Sequence, residues 1–368
     1  MLNLIKLPHV LTINQVPKVF HEDGIISGYR PPYSSAKDCA LSVFQPTNET
    51  LNIWTHFLPA WFFLWKLLMV ALAMEEGERS LYSWPLLVYL ASCCVYPLAS
   101  SCAHTFSSMS VRARHVCFFF DYGAISLYSL GSAVVYSSYT FPQKWVNSTF
   151  HHWYVSIAVL NSFVCTALAC CSRLGLPFLH YSADTIKGLP DYQVAKLTKP
   201  LRILAFALPY VYDNIPLFYR LFVCVGEGCT DNEANGVHHQ HIALAFLTGF
   251  LFATRLPERL APGSFDYIGN SHQLFHVFAI TATVVQIKAI ELDMVLRQTW
   301  LLAHSPPITF TNTVGVTLVS VAANLCVICI FSHALFSTTK NRDKDNKLSD
   351  IIKGYDSCST RSAFCCHR

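Results

Sequence analysis

Two histidines stand four positions apart at the start of an apolar run in the C-terminal third of the chain, in the sequence GNSHQLFHVF. His272 and His276 would lie on one face of a helix, because residues four apart are neighbours there. Imidazoles at such positions can bind a transition metal, carry a proton or form hydrogen bonds. Zinc-binding helices share this spacing, but it is weak evidence alone, since many such pairs only hydrogen-bond across helices.

Two other apolar runs carry polar groups of comparable chemistry. Ser100 and His104 are four residues apart in VYPLASSCAHTF, and Asp121 stands in FFFDYGA. Ionisable side chains are costly within a membrane span and usually face the bundle interior, where they have a partner. Whether these groups meet depends on the depth at which each helix carries them.

The composition is that of a multi-pass membrane protein. Of the 368 residues, 53% are hydrophobic and only 13% are charged, and a soluble domain has about twice that charged fraction. Apolar runs of roughly 20 residues, the length of a helix that crosses a bilayer, recur along almost the whole chain. The N-terminus lacks a long apolar segment, so we expect no cleaved signal peptide. The cysteines fall mostly within apolar runs and do not form the paired CxxC motifs of a thiolate zinc site.

The hydropathy pattern predicts an all-α integral membrane protein built as a bundle of eight transmembrane helices. We predict a cytoplasmic N-terminal segment at residues 1–50, the transmembrane bundle at 51–336 and a basic cytoplasmic tail at 337–368. There is no internal repeat and no separate soluble domain. The predicted spans are residues 51–74, 84–105, 115–136, 150–171, 201–225, 238–255, 270–293 and 309–336.

Lys and Arg are distributed unevenly between the two sides of this predicted bundle. Most lie in the N-terminal segment, the tail and the loops that precede spans 3, 5 and 7, whereas the other side offers only Arg79, Lys144, Lys288 and Arg297. Because cytoplasmic loops carry the excess of positive charge, both termini are predicted to be cytoplasmic. On the opposite side, Cys224 and Cys229 flank an acidic loop and could form a small disulfide or remain free thiols.

With this orientation, three histidines and a carboxylate reach the level of the inner leaflet. His104 ends span 2, His272 and His276 occupy the first two turns of span 7, and Asp121 lies about 9 Å into span 3. Three neutral imidazoles and a water molecule give the open tetrahedral geometry of catalytic-type zinc sites, and a nearby carboxylate can hold the water. The alternative is a hydrogen-bonded polar cluster that fixes helix packing.

Other polar residues of the predicted spans have two interpretations each. Asn52 and His56 lie on one face of span 1, with Glu49 just before it. They either support the three histidines or form ordinary hydrogen bonds between helices. Asp213, between two prolines of span 5, either lines a ligand cavity or, as we favour, caps a broken helix.

Several motifs together resemble the signature of the progestin and adipoQ receptor family. They are TNETLNIWTHFLP, the Ser100-x-x-x-His104 pair, FFFDYGA, RLPERLAPGSFDYIGNSHQ and SHQLFH, and the resemblance extends from VPKVFHEDGIISGYR to about residue 336. It implies a helical bundle with a cytosolic N-terminus, in agreement with the distribution of Lys and Arg. The eighth span is a feature of the progestin branch, whereas the adiponectin branch has seven.

The resemblance also implies Zn²⁺ as a cofactor. In the adiponectin branch, three histidines bind zinc near the cytoplasmic face and an aspartate contacts the ion through water. Those roles correspond to His104, His272 and His276, with Asp121 as the water partner and Ser100 beside it.

The function implied by the resemblance is that of a plasma-membrane receptor. It would bind progesterone-like steroids and signal rapidly, with an inhibitory G protein as the candidate partner. We also expect it to contact membrane lipids and not to bind nucleic acid. The residues themselves do not specify a steroid, although spans rich in aromatic side chains suit an apolar ligand that a few polar groups orient.

An enzyme is the alternative function. Alkaline ceramidases look distantly similar in this arrangement, so a ceramide-type lipid is the substrate to consider. Zinc would polarise the amide carbonyl and lower the pKa of its bound water towards about 7. Asp121 would then take the proton, and Ser100 would orient the developing oxyanion. Transport is the weakest option, because no polar stripe runs through several spans.

Overall fold

A computed structural model describes residues 9–73, 78–174 and 191–337 of the chain. Within these ranges the regular structure is helical, and the only β-type pairing is one isolated bridge between Leu11 and Tyr29. All but the first residue of the predicted tail lies outside the described residues. The long helices are α1 Thr50–Leu72, α2 Glu78–Phe106, α3 Val111–Val135, α4 Thr149–Leu174, α5 Asp191–Phe218, α6 Ala234–Thr254, α7 Ser271–Leu296 and α8 Thr311–Ser337.

The predicted all-α membrane bundle is confirmed. Among the described residues, six helices are long and apolar enough to cross a membrane, namely α1, α2, α3, α4, α7 and α8. Helices α5 and α6 overlap predicted spans 5 and 6 but are less apolar. Helix α6 contains His238, His239 and His241, and α5 begins with a polar segment. The number of eight membrane crossings therefore stays a prediction.

Helix α3 lies at the centre of the bundle. In its most apolar segment 72% of the residues are buried, against 17% in α1 and 22% in α8. Helices α1 to α5 pack against each other in chain order, α6 packs against α7, and α1 also packs against α7. The outer face of α1 presents large apolar side chains that suit contact with lipid, Leu58, Trp61, Trp65 and Leu68.

Small residues allow α2 and α3 to approach closely. A Cβ atom added at Gly131 would collide with the Ser92 hydroxyl, so a larger residue fits there only if Ser92 moves. Small residues at helix contacts are typical of membrane bundles, where close packing replaces the hydrophobic driving force. The start of α3 is fixed by Ser110, whose side chain accepts a hydrogen bond from the Ala113 amide at 3.0 Å.

The N-terminal segment closes the end of the bundle at which α2 ends and α7 begins. Asp266, before α7, accepts hydrogen bonds from the amides of Ile26 at 2.9 Å and Ser27 at 2.8 Å. Arg30 donates to the carbonyl oxygens of His104 at 2.5 Å and Thr105 at 2.7 Å. The segment thus fixes the backbone that carries His104.

The middle of α5 differs from the interpretation that we favoured for Asp213. Helix α5 runs without a break from Asp191 to Phe218 and continues as a π turn, Tyr219–Val223. Asp213 accepts a hydrogen bond from Ser129 of α3, so its carboxylate connects two helices and does not cap a broken one. Just beyond the π turn, Cys224 and Cys229 form a disulfide.

Candidate metal centre

Two helices bring the three predicted histidines together. His104 lies in the last turn of α2, and His272 and His276 lie in the first two turns of α7. One ring nitrogen of each lies within 4.8 Å of the other two. His104 and His276 are buried, with exposures of 3% and 1%, and His272 is partly buried. The three imidazoles therefore meet, as the sequence predicted from their depth. Their role as metal ligands stays a prediction.

The hydrogen bonds of these imidazoles leave lone pairs directed at one another. His104 Nδ1 lies 2.7 Å from a carboxylate oxygen of Glu49, and His276 Nδ1 lies 3.1 Å from the backbone oxygen of Asn52. These acceptors place the proton on Nδ1, so the Nε2 atoms carry free lone pairs. His104 Nε2 is 3.2 Å from His272 Nε2.

This geometry fits a tetrahedral metal ion. Two nitrogen ligands at the usual zinc–nitrogen distance lie roughly 3.3 Å apart, close to the 3.2 Å between His104 and His272. Imidazoles that bind zinc generally donate a hydrogen bond from their other ring N–H to a carboxylate or a backbone carbonyl, as the Nδ1 atoms of His104 and His276 are placed to do. The 3.2 Å pair alone would also suit a simple hydrogen-bonded cluster, so the assignment of a metal stays a proposal.

Glu49 supplies the carboxylate that contacts His104 on the side of the ring away from the other two histidines. It accepts hydrogen bonds from His104 Nδ1 at 2.7 Å and Asn52 Nδ2 at 2.8 Å. Burial raises the pKa of the Glu49 carboxyl, but His104 and then Arg30 act in the opposite direction and hold the pKa well below its usual range. Glu49 therefore remains an anion that fixes the tautomer of His104.

Replacing Glu49 by glutamine should weaken zinc binding about 10- to 100-fold, the usual effect of losing such a supporting carboxylate. The neutral amide accepts a weaker hydrogen bond and can turn its NH₂ group towards the ring. Zinc affinity is measured by competition with a coloured chelator. Glu291→Gln, which removes a half-exposed carboxylate paired with Lys66, is the control, and equal affinities in the two variants would contradict the assignment.

Asp121 lies on α3 next to the histidines. Its turn also carries Phe118, whose ring packs edge-on against that of His104 with centroids 5.6 Å apart. Asp121 is buried, and its Oδ1 atom has no hydrogen-bond partner. An acceptor in that state fits a metal-bound water as its donor. Ser100 is also buried, one turn before His104 on α2, and its role stays a prediction.

His56 of α1 packs directly on the site. Its ring stacks on that of His276 with a centroid distance of 3.6 Å and an interplanar angle of 11°. Both His56 ring nitrogens are buried without a hydrogen-bond partner. Of the two interpretations open for Asn52 and His56, these contacts favour support of the three histidines.

Comparison of the sequence with known proteins assigns the chain to a family. A family model described as haemolysin-III related matches residues 44–287. The chain belongs to this family. The matched range contains every residue of the candidate metal centre, from Glu49 to His276, and ends before α8.

Curated relatives of this haemolysin-III-related protein cover almost all of its length. Membrane progestin receptor gamma-A of Danio rerio is 71% identical over 344 residues, which cover 94% of this chain and 99% of the relative. The Homo sapiens gamma receptor is 53% identical over 91% of this chain and 97% of the relative. The Homo sapiens delta receptor is 52% identical over 90% and 92%. These matches confirm the resemblance to progestin and adipoQ receptors and, with the six apolar helices, a multi-pass membrane protein.

A buried ion pair that was not predicted from the sequence lies at the end of the bundle opposite to the three histidines. Asp293 of α7 accepts hydrogen bonds from Arg220 Nη1 at 2.6 Å and Nη2 at 2.9 Å, and His238 Nε2 lies 2.9 Å away. Asn232, in the loop between α5 and α6, also donates a hydrogen bond to Asp293 at 3.1 Å. The sequence did contain a signal for this pair, because Arg220 and Asp293 lie in different apolar runs and charges within a membrane usually pair.

A polar array in the middle of the bundle was missed as well. The Gln286 side-chain oxygen accepts a hydrogen bond from Tyr128 at 2.5 Å, and its amide donates to Tyr136 at 2.8 Å. Thr283, one turn earlier on α7, lies 3.0 Å from the Tyr96 hydroxyl and 3.2 Å from that of Tyr128. These groups place hydroxyls and one amide inside an otherwise apolar bundle.

Proposed function

We propose that this haemolysin-III-related protein is a plasma-membrane receptor for progesterone-like steroids. The observation that carries the proposal is the 71% identity, over 94% of the chain, to membrane progestin receptor gamma-A of Danio rerio. The proposal includes rapid signalling with an inhibitory G protein as a partner, and contact with membrane lipids.

Both termini are cytoplasmic in this proposal. The excess of Lys and Arg on one side of the bundle supports it. The Cys224–Cys229 disulfide supports it too, because it follows the end of α5, opposite to the three histidines. Disulfides persist in oxidising compartments such as the cell exterior.

We further propose that His104, His272 and His276 hold one Zn²⁺ ion and that Asp121 contacts it through water. The convergent imidazoles and the partnerless oxygen of Asp121 support the assignment. An ion held there supplies a Lewis-acidic link between the end of α2 and the start of α7. Glu49 and Asn52 orient two of the rings towards it.

The polar array in the middle of the bundle is suited to orienting an apolar ligand. A steroid is largely hydrocarbon with a few ketone or hydroxyl groups, and binding sites for such ligands combine apolar walls with a few placed polar groups. Gln286, Thr283 and Tyr128 offer such groups within the bundle. The relatives reported above are named receptors, so we favour this function over the lipid hydrolase.

Steroid binding by the purified full-length protein tests the proposal. We expect saturable binding of tritiated progesterone that an excess of unlabelled progesterone displaces, and no release of fatty acid from ceramide. Absence of saturable binding by folded, monodisperse protein would contradict the receptor. Release of fatty acid that is lost in His276→Ala would instead establish the hydrolase.

A further inference from the structure

Three arginines from three helices converge at the end of the bundle where α3 begins, α4 ends and α5 begins. The Arg173 guanidinium carbon lies 3.9 Å from the centroid of the Phe118 ring, and that of Arg114 lies 5.5 Å from the same ring. The guanidinium carbon of Arg202 lies 6.0 Å from the Tyr122 ring. The Tyr122 hydroxyl accepts a hydrogen bond from Arg173 at 3.1 Å. The arginines are thus held around two aromatic rings of α3.

The carboxylates of the described residues do not balance this positive charge. Arg114 forms an ion pair with Glu22, and the charge of Arg173 interacts with Asp121. Arg202 donates to the uncharged hydroxyl of Ser172 at 3.2 Å. Three guanidinium groups therefore face two carboxylates, which leaves an excess of one positive charge.

Two nitrogen atoms within this group have no hydrogen-bond partner. Arg173 Nε and His115 Nδ1 are buried without a hydrogen-bond partner. Arg114, Arg173 and Arg202 are all close enough for their charges to act on His115. The Nε–H of arginine can only donate, and a buried donor without an acceptor costs about 1–3 kcal/mol. The arrangement thus points to an acceptor-rich anion.

We propose that Arg173, Arg202 and His115 bind a phosphate group, that of a phosphorylated inositol lipid in the inner leaflet. A phosphate monoester offers three acceptor oxygens and nearly two negative charges, and arginine pairs with phosphate through two parallel hydrogen bonds. Basic pockets between transmembrane helices on the cytoplasmic side suit such headgroups. The choice of leaflet rests on the orientation proposed above, and free phosphate offers the same chemistry.

The proposed phosphate site adjoins the candidate metal centre through one side chain. The Phe118 ring lies under the Arg173 guanidinium at 3.9 Å and packs edge-on against His104 at 5.6 Å. A phosphate bound by Arg173 would therefore hold Phe118 against a candidate zinc ligand. No residue of the proposed phosphate site is itself one of the three clustered imidazoles.

The test compares three probes on purified full-length protein in phosphatidylcholine nanodiscs. They are dioctanoyl phosphatidylinositol 4,5-bisphosphate, inositol 1,4,5-trisphosphate and inorganic phosphate. We expect saturable binding of the lipid and about tenfold weaker binding in Arg173→Gln and in Arg202→Gln, since each loses a charge-assisted hydrogen bond. Arg259→Gln, which removes an exposed arginine on the same side of the bundle, should bind like the wild type.

The three probes also identify the source of the phosphate. Lipid binding at least tenfold tighter than that of either soluble probe supports the headgroup. Equal binding of inorganic phosphate supports the site but overturns the lipid as its source. No saturable binding of any probe, or unchanged binding in both glutamine variants, overturns the site. If Arg173→Gln does not fold, Arg202→Gln decides, because the hydrogen bonds described for Arg202 involve only Ser172.

Discussion

Replacing Asp293 by asparagine should lower the free energy of unfolding by about 3–5 kcal/mol, the usual cost of removing one partner of a buried ion pair. The Asp293 and Arg220 side chains are both 0% exposed, and they are joined at 2.6 Å and 2.9 Å. His238 Nε2 lies 2.9 Å from the same carboxylate. Asparagine keeps the shape but not the charge, so Arg220 would remain buried without its counter-ion.

Glu291→Gln is the matched control on the same helix. Glu291 pairs with Lys66 at 2.8 Å, but its side chain is 33% exposed, so its loss should cost less than about 1 kcal/mol. Thermal unfolding in detergent, followed by tryptophan fluorescence, measures both variants. Equal melting temperatures for Asp293→Asn and Glu291→Gln would contradict the role of the ion pair. Adding Arg220→Met to Asp293→Asn should restore part of the loss, because Arg220 then no longer remains as a buried charge without its counter-ion.

Replacing His276 by alanine should abolish stoichiometric zinc binding. The change removes one of three convergent imidazole nitrogens and the stacking partner of His56. Two imidazoles on separate helices cannot complete the set of protein ligands that a tetrahedral zinc site requires. We expect the zinc content, measured by mass spectrometry of digested protein, to fall from about one per chain to near zero.

His239→Ala is the control for the loss of zinc. His239 is an exposed histidine of α6, and its ring lies 5.2 Å from that of Phe222. Its removal should leave the zinc content unchanged. Retention of zinc by folded His276→Ala protein would show that the ion is bound elsewhere.

The helices were largely predictable because the length and hydropathy of apolar runs follow from the thickness of a bilayer. Seven of the eight long helices begin within six residues of the predicted spans. The exception is α5, which begins at Asp191, ten residues before the predicted 201. Its first residues, DYQVAKLTK, are polar. Hydropathy reports membrane burial and not helix formation, so a polar extension of a helix escapes it.

The clustering of the three histidines was predictable from the sequence, but the contacts that surround them were not. The rise of 1.5 Å per residue gives the depth of each histidine once the side of each loop is assigned. The rotation of a helix about its axis and the side-chain rotamers depend on tertiary packing. For this reason the sequence left open whether Glu49 and His56 reach the histidines. The pairing of Arg220 with Asp293 was not predicted, because which buried side chains face each other depends on the same helix rotation.

The zinc content of the wild-type protein, with the X-ray absorption spectrum of the bound metal, tests the central claim most directly. Protein purified without added metal should contain about one zinc ion per chain, with three nitrogen ligands at about 2.0–2.1 Å and one oxygen ligand. Folded protein without zinc, or a spectrum dominated by sulfur ligands, would contradict the assignment of His104, His272 and His276.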